Sequence, residues 1–214
     1  MVFTGHEFAE GGEFIANTLK KEKIKASFFF TGDFYRNPQF KKLVLQLKKY
    51  GHYPGAHSDK HLLYCDWNNR DSLLVTQSQF SFDLADNYSE MARLGMDVKK
   101  AKYYLPPYEW YNDTIAAWTK QLGLQLISYT PGTLSHADYT TPQDKNYHSS
   151  ETIYRSIINY EQSRPSGLNG FILLMHIGAG PERTDKFYYR LRELIKYLKQ
   201  KNYHFQTVDQ LLSR

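Results

Sequence analysis

Two histidines four residues apart carry the strongest chemical signal in this sequence. His57 and His61 enclose the tripeptide Ser-Asp-Lys, and they follow His52–His57, a segment with the pattern of a strand. If the stretch turns helical, imidazoles at positions i and i+4 lie on one face and can bind one metal ion. The alternative is a pair of surface histidines at chance spacing. The place directly after a predicted strand favours the metal site.

Another histidine stands at the end of the most apolar segment. His176 closes Gly170–His176, which has the composition of a buried strand. An imidazole at such a strand end can act as a general acid or base, because its ordinary pKa lies near neutral pH. The alternative is a core histidine whose hydrogen bonds are satisfied.

A proline pair marks the third candidate site. Pro106–Pro107 ends another predicted strand, and the two rings make the loop rigid enough to direct a backbone N–H at an oxyanion. Three aromatic residues that follow, and that suit a sugar-binding wall, are Tyr108, Trp110 and Tyr111. An ordinary rigid loop explains the same residues nearly as well.

The first predicted strand is followed by a loop bounded by glycines, Gly5–Gly12. It brings a possible metal ligand, His6, close to the carboxylates Glu7 and Glu10. The glycine spacing does not match the G-x-G-x-x-G pattern of dinucleotide-binding loops. The alternative is that the glutamates only complement the dipole of the following helix.

Alternating strands and helices must position these four sites. Strand-like runs are predicted at Val2–Thr4, Ala26–Phe30, His52–His57, Lys102–Leu105, Leu124–Tyr129, Gly170–His176 and His204–Thr207. Helical patterns lie between them, at Glu13–Glu22, Asn37–Gly51, Thr76–Leu94, Asn112–Leu122, Ser150–Ser163 and Asp185–Lys199. About seven strands and about six helices in alternation predict an α/β fold with a parallel sheet or barrel. Functional loops of such folds leave the C-terminal ends of the strands.

Composition excludes several classes of protein. The chain has 214 residues, 41% of them hydrophobic and 23% charged, which indicates a single folded domain over residues 1–214. No apolar run approaches the ~20 residues of a membrane-spanning helix. The excess of five basic residues is dispersed in short clusters, which favours solvated helix faces over a nucleic-acid groove. The single cysteine, Cys65, excludes an internal disulfide and a Cys-rich zinc site.

The order and spacing of the sites are more specific than any one of them. His57–His61 reads H-S-D-K-H, Pro106–Tyr108 reads P-P-Y, and Leu174–His176 reads L-M-H. They resemble the H-[ST]-x-x-H, R-P-P-Y-G and L-x-H motifs of the polysaccharide deacetylases of the NodB-homology type (carbohydrate esterase family 4). Lys25–Gly32 and Tyr197–Leu212 are similar to the family's second strand and to its last helix and strand, so the resemblance covers almost the whole chain.

The resemblance implies a distorted (β/α)7 barrel and one divalent metal ion, usually zinc, held by two histidines and an aspartate. Nickel and cobalt are alternatives, because histidine binds all three metals. A second aspartate is the general base on water, while the metal ion and a loop N–H stabilise the oxyanion as acetyl leaves a sugar nitrogen or oxygen. The histidine of L-x-H protonates the leaving group.

The sequence departs from the family where these two aspartates belong. The family's T-F-D-D-G falls on Val2–His6, which places Thr4 at the position of the base and Gly5 at that of the ligand. The arginine that pairs with the base falls on Leu105, so base and partner are lost together. The D-x-x-D-W motif is matched at best by Ser135–Tyr139, without its first aspartate.

Two interpretations of these departures compete. In the first, the site is rebuilt with His6 as third metal ligand beside His57 and His61, and with Glu7 or Glu109 as base. A neutral imidazole can replace a carboxylate on zinc, and a more positive site lowers the pKa of bound water. In the second, catalysis is lost and a carbohydrate-binding protein remains. We expect the rebuilt site, since Glu109 stands at the glycine position of R-P-P-Y-G, close to the lost arginine.

The expected function is that of a metal-dependent deacetylase acting on an acetylated amino sugar or polysaccharide, at an amide or an O-acetyl ester. His176 is the expected general acid, and the Tyr108 backbone N–H is the expected oxyanion donor. The expected substrate contacts are Tyr108, Trp110, Tyr111 and, beside the acetyl group, Leu174.

The expected partner is an acetylated oligo- or polysaccharide. Nucleic acid is not expected as a partner. Only a steep salt dependence of DNA binding would support a role in nucleic-acid binding. The resemblance favours a location outside the cytoplasm. Met1–Phe3 reads as the end of a strand with no signal peptide, so either the chain starts there or upstream residues are missing.

Overall fold

One sheet of six parallel strands organises this structure, a computed structural model that describes residues 1–213. The strands are β1 (Val2–Gly5), β2 (Ser27–Phe30), β3 (Tyr53–Ala56), β4 (Tyr103–Tyr104), β5 (Gln125–Leu126) and β6 (Leu174–His176). Their order across the sheet is β5-β4-β3-β2-β1-β6, and all pairs are parallel. The predicted α/β class is confirmed.

Helices connect the strands at nearly the predicted places. They are α1 (Gly12–Lys21), α2 (Gly32–Arg36), α3 (Lys41–Lys49), α4 (Gln77–Arg93), α5 (Asp113–Gln121), α6 (Ser150–Ser163), α7 (Leu191–Gln200) and α8 (Val208–Leu212). Thr76 caps α4 and Asn112 caps α5, each accepting a backbone N–H with its side-chain oxygen. The helix predicted over Asn37–Gly51 begins later, because Asn37 instead ends α2. None of the described helices is both long and apolar enough to cross a bilayer.

The sheet curls until its two edges meet, which gives the distorted barrel. Beyond β5, the Thr130 N–H donates to the Ile172 carbonyl at 3.0 Å, and the Ile172 N–H donates to the Thr130 hydroxyl at 3.0 Å. The seventh strand predicted at His204–Thr207 is not formed. The Thr207 N–H donates instead to the Gln210 side chain at 3.3 Å, as residues do at the start of a helix.

Alternate residues of the central strands enter two hydrophobic clusters, because successive side chains of a strand point to opposite faces. Phe28 and Phe30 belong to the larger cluster, which the helices cover. Phe29 and Leu174 belong to a smaller cluster built from residues of the curled sheet. Both faces are apolar, so polar chemistry is left to the loops at the strand ends.

Candidate active site

The C-terminal ends of β1, β3, β4 and β6 open into a cleft of about 660 Å³. It is lined by all the ionisable residues that the sequence predicts for the site, namely His6, Glu7, His57, His61, Glu109 and His176. Loops after β5 and β6 complete the walls with Tyr129, His136, Tyr139, Asp144 and Gly178–Glu182. A second cavity of similar volume, beside residues 168–173 and 201–206, contains none of the predicted site residues.

His57 is held as a neutral imidazole at the end of β3. Its Nδ1–H donates to the Leu105 carbonyl oxygen at 2.8 Å, so the Nε2 lone pair remains available to a ligand. Burial lowers the pKa of His57 to about 3. His61, whose ring centroid lies 5.1 Å away, has its pKa lowered to about 2 by burial and by the neighbouring histidines. Both rings are uncharged at neutral pH, as metal coordination requires.

The turn between these two histidines is not the helical one suggested by their spacing. Ser58 and His61 have left-handed backbones, with φ of 70° and 55°. From α4, the carboxylate of Asp83 accepts the backbone N–H groups of Asp59 and Lys60 at 3.0 Å each. The helical interpretation of the motif is therefore wrong, and an irregular turn fixed by Asp83 brings the two rings side by side.

His6, the predicted third ligand, lies on the other side of His61. Their ring centroids are 4.8 Å apart, and His6 Nδ1 is 3.1 Å from the Thr31 hydroxyl. Imidazoles that share one zinc ion have centroids about 5 Å apart, since each Zn–N bond is about 2 Å long. Within residues 1–213, however, no three His, Cys, Asp or Glu side chains are close enough together to hold a metal ion. The donors fit zinc in kind and in ring separation, although they do not form a closed three-ligand cluster in this structure.

The two positions where the resemblance expects aspartates belong to the cleft lining, but both are buried. Thr4 is 1% exposed, and its Oγ1 has no hydrogen-bond partner in the structure. A Cβ on Gly5 would lie 2.7 Å from Ile177 Cγ2 and 2.9 Å from the Phe34 ring. An aspartate at position 5 therefore has no room unless these neighbours move.

His176 ends β6 beside a carboxylate that was not predicted as a site residue. Asp138 is 5% exposed; its Oδ1 accepts from the His176 ring Nδ1 at 2.6 Å, and its Oδ2 accepts from the His176 backbone N–H at 2.9 Å. Burial lowers the pKa of His176, but the Asp138 carboxylate outweighs it, so the pKa lies above its ordinary value. The signal that pointed to Asp138 was its place in Ser135–Tyr139, the partial match to D-x-x-D-W.

Of the two carboxylates that the sequence leaves open as base, Glu109 is the more enclosed. It lies in the 3₁₀ turn Pro107–Glu109, where burial raises its pKa to about 7 against the opposing effect of His176. Glu7 lines the rim with its side chain 68% exposed, and its Oε1 is 4.0 Å from His6 Nε2. A carboxyl that titrates near neutral pH is suited to proton transfer, so burial and the raised pKa favour Glu109 as the base.

The aromatic wall of the cleft differs from the predicted one. Tyr108 lines it as expected, with its ring centroid 4.5 Å from that of His61. Trp67 lies 5.3 Å from Tyr108, and Tyr139 lies 4.7 Å from the ring of His176. Neither Trp67 nor Tyr139 was predicted as a substrate contact, because both lie on long loops and not directly after a strand.

The other predicted substrate contacts, Trp110, Tyr111 and Leu174, lie outside the cleft lining. The Arg70 guanidinium stacks on Trp110 at 4.3 Å and lies 5.3 Å from the Tyr111 ring. Two left-handed residues just before them turn the chain, so these aromatics do not follow Tyr108 into the cleft. Leu174 is fully buried in the smaller hydrophobic cluster.

Sequence comparison finds bacterial relatives that match over most of this chain. It is 25% identical over 200 residues to the peptidoglycan-N-acetylmuramic acid deacetylase PdaA of Bacillus subtilis (strain 168), covering 92% of this chain and 65% of that protein. The chain spans between 54% and 65% of the length of three curated relatives.

Solved structures share the fold. The peptidoglycan N-acetylglucosamine deacetylase Bc1960 superposes with a TM-score of 0.76 at 19% identity, covering 99% of this chain and 86% of that one. BA3943 of Bacillus anthracis, described as a pseudoenzyme of carbohydrate esterase family 4, superposes with a TM-score of 0.70 at 17% identity, covering 99% and 65%. At this level of identity the likeness establishes the distorted barrel.

The sequence profile of one family matches more than half of the chain. The profile, described as polysaccharide deacetylase, covers residues 10–127. His57, His61 and Glu109 lie inside the matched stretch, whereas Asp138 and His176 lie C-terminal to it. The chain therefore belongs to the polysaccharide deacetylase family.

Proposed function

We propose that this chain hydrolyses acetyl groups from a polysaccharide bound in the cleft, with an N-acetylated amino sugar as the expected substrate. The observation that carries this is the convergence of two kinds of group on one cleft. Glu109 and His176 have pKa values raised from their ordinary ones, and beside them lie the neutral imidazoles of His57 and His61. The relatives PdaA and Bc1960 support the substrate class, since both are described as deacetylases of peptidoglycan amino sugars.

A divalent metal ion is part of this proposal. His57 and His61 would hold it, with His6 as the third ligand, and these donors suit zinc, nickel or cobalt. Bound there, such an ion would polarise the acetyl carbonyl and lower the pKa of water. The Leu105 carbonyl contributes by fixing the tautomer of His57 that presents Nε2 to the cleft.

Glu109 is the proposed general base, and His176 is the proposed general acid. With a pKa of about 7, a large fraction of Glu109 is deprotonated at neutral pH, and it accepts a proton as water attacks the acetyl carbon. His176, whose imidazolium form is favoured by the Asp138 carboxylate, donates its proton to the sugar nitrogen as the C–N bond breaks. The products are acetate and a free amine. The Tyr108 backbone N–H is the proposed donor to the oxyanion.

A second candidate function, glycan binding without catalysis, is favoured by the changes at Thr4 and Gly5. Neither residue supplies a carboxylate, and no closed three-ligand cluster exists within residues 1–213. BA3943, which is similar in fold, is itself described as a pseudoenzyme. A protein of this kind would keep the aromatic cleft and would bind glycans without releasing acetate.

Metal analysis and acetate release distinguish the two functions. The protein is purified without chelators and analysed by mass spectrometry beside the His57→Ala/His61→Ala variant, with His148→Ala/His204→Ala as the matched control. Acetate release is measured on N-acetylglucosamine oligomers and on a simple acetyl ester. About one equivalent of metal that only the first variant loses, together with acetate release, is the expected result. Glycan binding without metal or acetate release, even after incubation with zinc, would establish the binding role instead.

A further inference from the structure

The lysines that are dispersed in the sequence gather at one end of the barrel. The segments that lead into β2, β3, β4 and β5 are residues 20–26, 48–52, 93–102 and 120–124. They hold eleven basic and two acidic residues, which leaves 16 basic and 20 acidic residues in the rest of the chain. Because the strands are parallel, the four segments lie at the end opposite the cleft. We propose that this end, which we call the basic face, docks on a bilayer that contains anionic phospholipids.

Contacts between neighbouring segments make the basic face continuous. The four strands that follow these segments stand side by side in the sheet. Lys25, in the segment before β2, donates to the Tyr50 carbonyl in the segment before β3. Lys48 donates in turn to the carbonyl of Leu94, in the segment before β4, at 3.3 Å. The positive charges therefore form a row across three neighbouring segments, which the segment before β5 extends.

The two acidic residues of the basic face are both paired. Glu22 accepts from Arg192 at 3.1 Å and from Lys199 at 3.3 Å, and both of these cations lie on α7. Asp97 lies 3.4 Å from Lys100. Because the partners of Glu22 come from outside the four segments, pairing leaves most of the positive charge of the face uncompensated.

Carboxylates on adjoining elements do not neutralise the basic face either. On α4, Glu90 pairs with Arg93 at 2.7 Å. On α6, Glu161 lies 3.9 Å from Lys201, which does not belong to the face. Asp209, on α8, is half-buried, and its Oδ1 has no exposed surface. Each of these carboxylates is thus occupied by another cation or turned inward.

Six lysines of the basic face are exposed and form no ion pair among residues 1–213, namely Lys21, Lys23, Lys49, Lys99, Lys102 and Lys120. Basic residues in the last turn of a helix offset its dipole, which accounts for three of them, at positions 21, 49 and 120. The other three lie beyond the helix ends, and the dipole effect fades within the last turn. Helix stability therefore does not explain the charge of the whole face.

The kind of cation indicates the kind of partner. Ten of the eleven basic residues are lysines, whose ammonium groups are point charges, whereas arginine suits bidentate contacts with individual phosphates. None of the six unpaired lysines lines either of the two large cavities. Leu122, two residues after Lys120, is 45% exposed and can enter the interfacial layer of a bilayer. Diffuse charge on an open surface fits lipid headgroups better than it fits a nucleic acid held in a groove.

Docking through the basic face would fix the orientation of the protein. The cleft lies at the other end of the same parallel strands, so it would open away from the lipid. A glycan outside the bilayer would then reach the cleft without crossing the membrane surface. Attachment of this kind requires neither a metal ion nor catalysis, so its test is independent of the proposed function.

Sedimentation of the full chain with vesicles tests the attachment. Vesicles of phosphatidylcholine alone are compared with vesicles of equal parts phosphatidylglycerol and phosphatidylcholine. At low salt we expect binding only to the mixture, with an affinity that falls at least about 10-fold at high salt. Equal binding to both vesicles, or none to the mixture, would overturn the inference. Tighter binding to duplex DNA than to the mixture would overturn it as well, because nucleic acid would then be the partner.

A variant of the basic face locates the attachment. Lys21→Gln/Lys23→Gln/Lys99→Gln/Lys102→Gln removes four exposed charges from two of the segments. Its affinity for the mixed vesicles should be at least about 30-fold weaker than that of the wild type, since one lysine near an anionic surface contributes roughly fivefold.

The matched control removes the same charge elsewhere on the surface. Lys41→Gln/Lys42→Gln/Lys145→Gln/Lys196→Gln changes four exposed lysines that lie outside the basic face. This variant should bind the mixed vesicles within about 3-fold of the wild type, because distant exposed charges are screened by salt. An equal loss of binding in both variants would show that net charge alone drives the attachment, and it would overturn the inference.

Discussion

Asp138 and His176 are joined by two hydrogen bonds, one from the ring Nδ1–H at 2.6 Å and one from the backbone N–H at 2.9 Å. The backbone contact anchors the carboxylate at the end of β6, and the ring contact then fixes the orientation and tautomer of the imidazole. The carboxylate also favours the imidazolium form, which is the form that donates a proton. One residue on the loop after β5 thus sets both the position and the charge of His176.

Replacing this carboxylate by an amide should separate charge from position. In Asp138→Asn a hydrogen-bonding side chain remains, but its negative charge is gone, so the pKa of His176 should fall by at least about 1 unit. Deacetylation at neutral pH should slow by about 10-fold, because a fall of 1 unit in pKa leaves roughly a tenth as much imidazolium to donate the proton. NMR titration of the ring measures the pKa, with Asp86→Asn as control. An unchanged His176 pKa would contradict the role given to Asp138.

The rate of deacetylation should depend on the protonation of Glu109. Activity should rise with pH through about 7 as this carboxyl loses its proton, and it should fall at higher pH as His176 deprotonates. Glu109→Gln should lower kcat/KM by ~10²- to 10⁴-fold and remove the rise on the acidic side. Glu7→Gln should keep most of the activity. Full activity in both variants would reject a glutamate base altogether.

Glu109 should also make the fold less stable as the pH rises. Its pKa is about 7 in the folded protein and 4.5 in the unfolded reference, so the folded state binds more protons between these values. The free energy of unfolding should therefore fall by about 2–3 kcal/mol from mildly acidic to neutral pH through this group alone. Denaturant titrations of the wild type and Glu109→Gln should show the extra slope only in the wild type. Parallel pH profiles would refute the raised pKa.

Arg183 should support the loop that carries Asp138. Its buried guanidinium donates to the carbonyls of Thr140 and His148, so Arg183→Met leaves these acceptors unpaired and should cost about 3 kcal/mol of stability. The melting temperature should drop by roughly 6–12 °C, given 2–4 °C per kcal/mol for a chain of this size. Arg183→Lys keeps the charge but lacks the planar guanidinium group, so its melting temperature should lie between those of the wild type and Arg183→Met. A lysine variant no better than methionine would mean that charge contributes nothing here.

The convergence of the four polar sites was predictable from sequence, because parallel strands end at the same edge of a sheet. The apolar runs around β2 and β6 predict these two strands. Because the strands are parallel, the histidines that follow β3 lie at the same edge of the sheet as His176. The strand predicted at His204–Thr207 has no such apolar run, and its last residue, Thr207, instead lies at the start of α8, where its N–H donates to the Gln210 side chain.

The details of the site depended on backbone geometry that spacing does not reveal. Trp110 and Tyr111 stand beside Tyr108 in sequence, yet left-handed residues at 108 and 109 carry them out of the cleft. Trp67 and Tyr139 enter it from long loops, whose course depends on contacts made across the chain. The tautomer of His57 depends on the Leu105 carbonyl, a main-chain group that any residue at position 105 would supply.

The pairing of β1 with β6 has a consequence for how the protein folds. It joins Val2 to Leu174, whereas the strands from β1 to β5 pair with partners much closer in sequence. Closing the longest loop costs the most chain entropy, so this pair should form late during refolding. The two halves of the proposed site should thus appear in order, with the His57 and His61 pair first and His176 last.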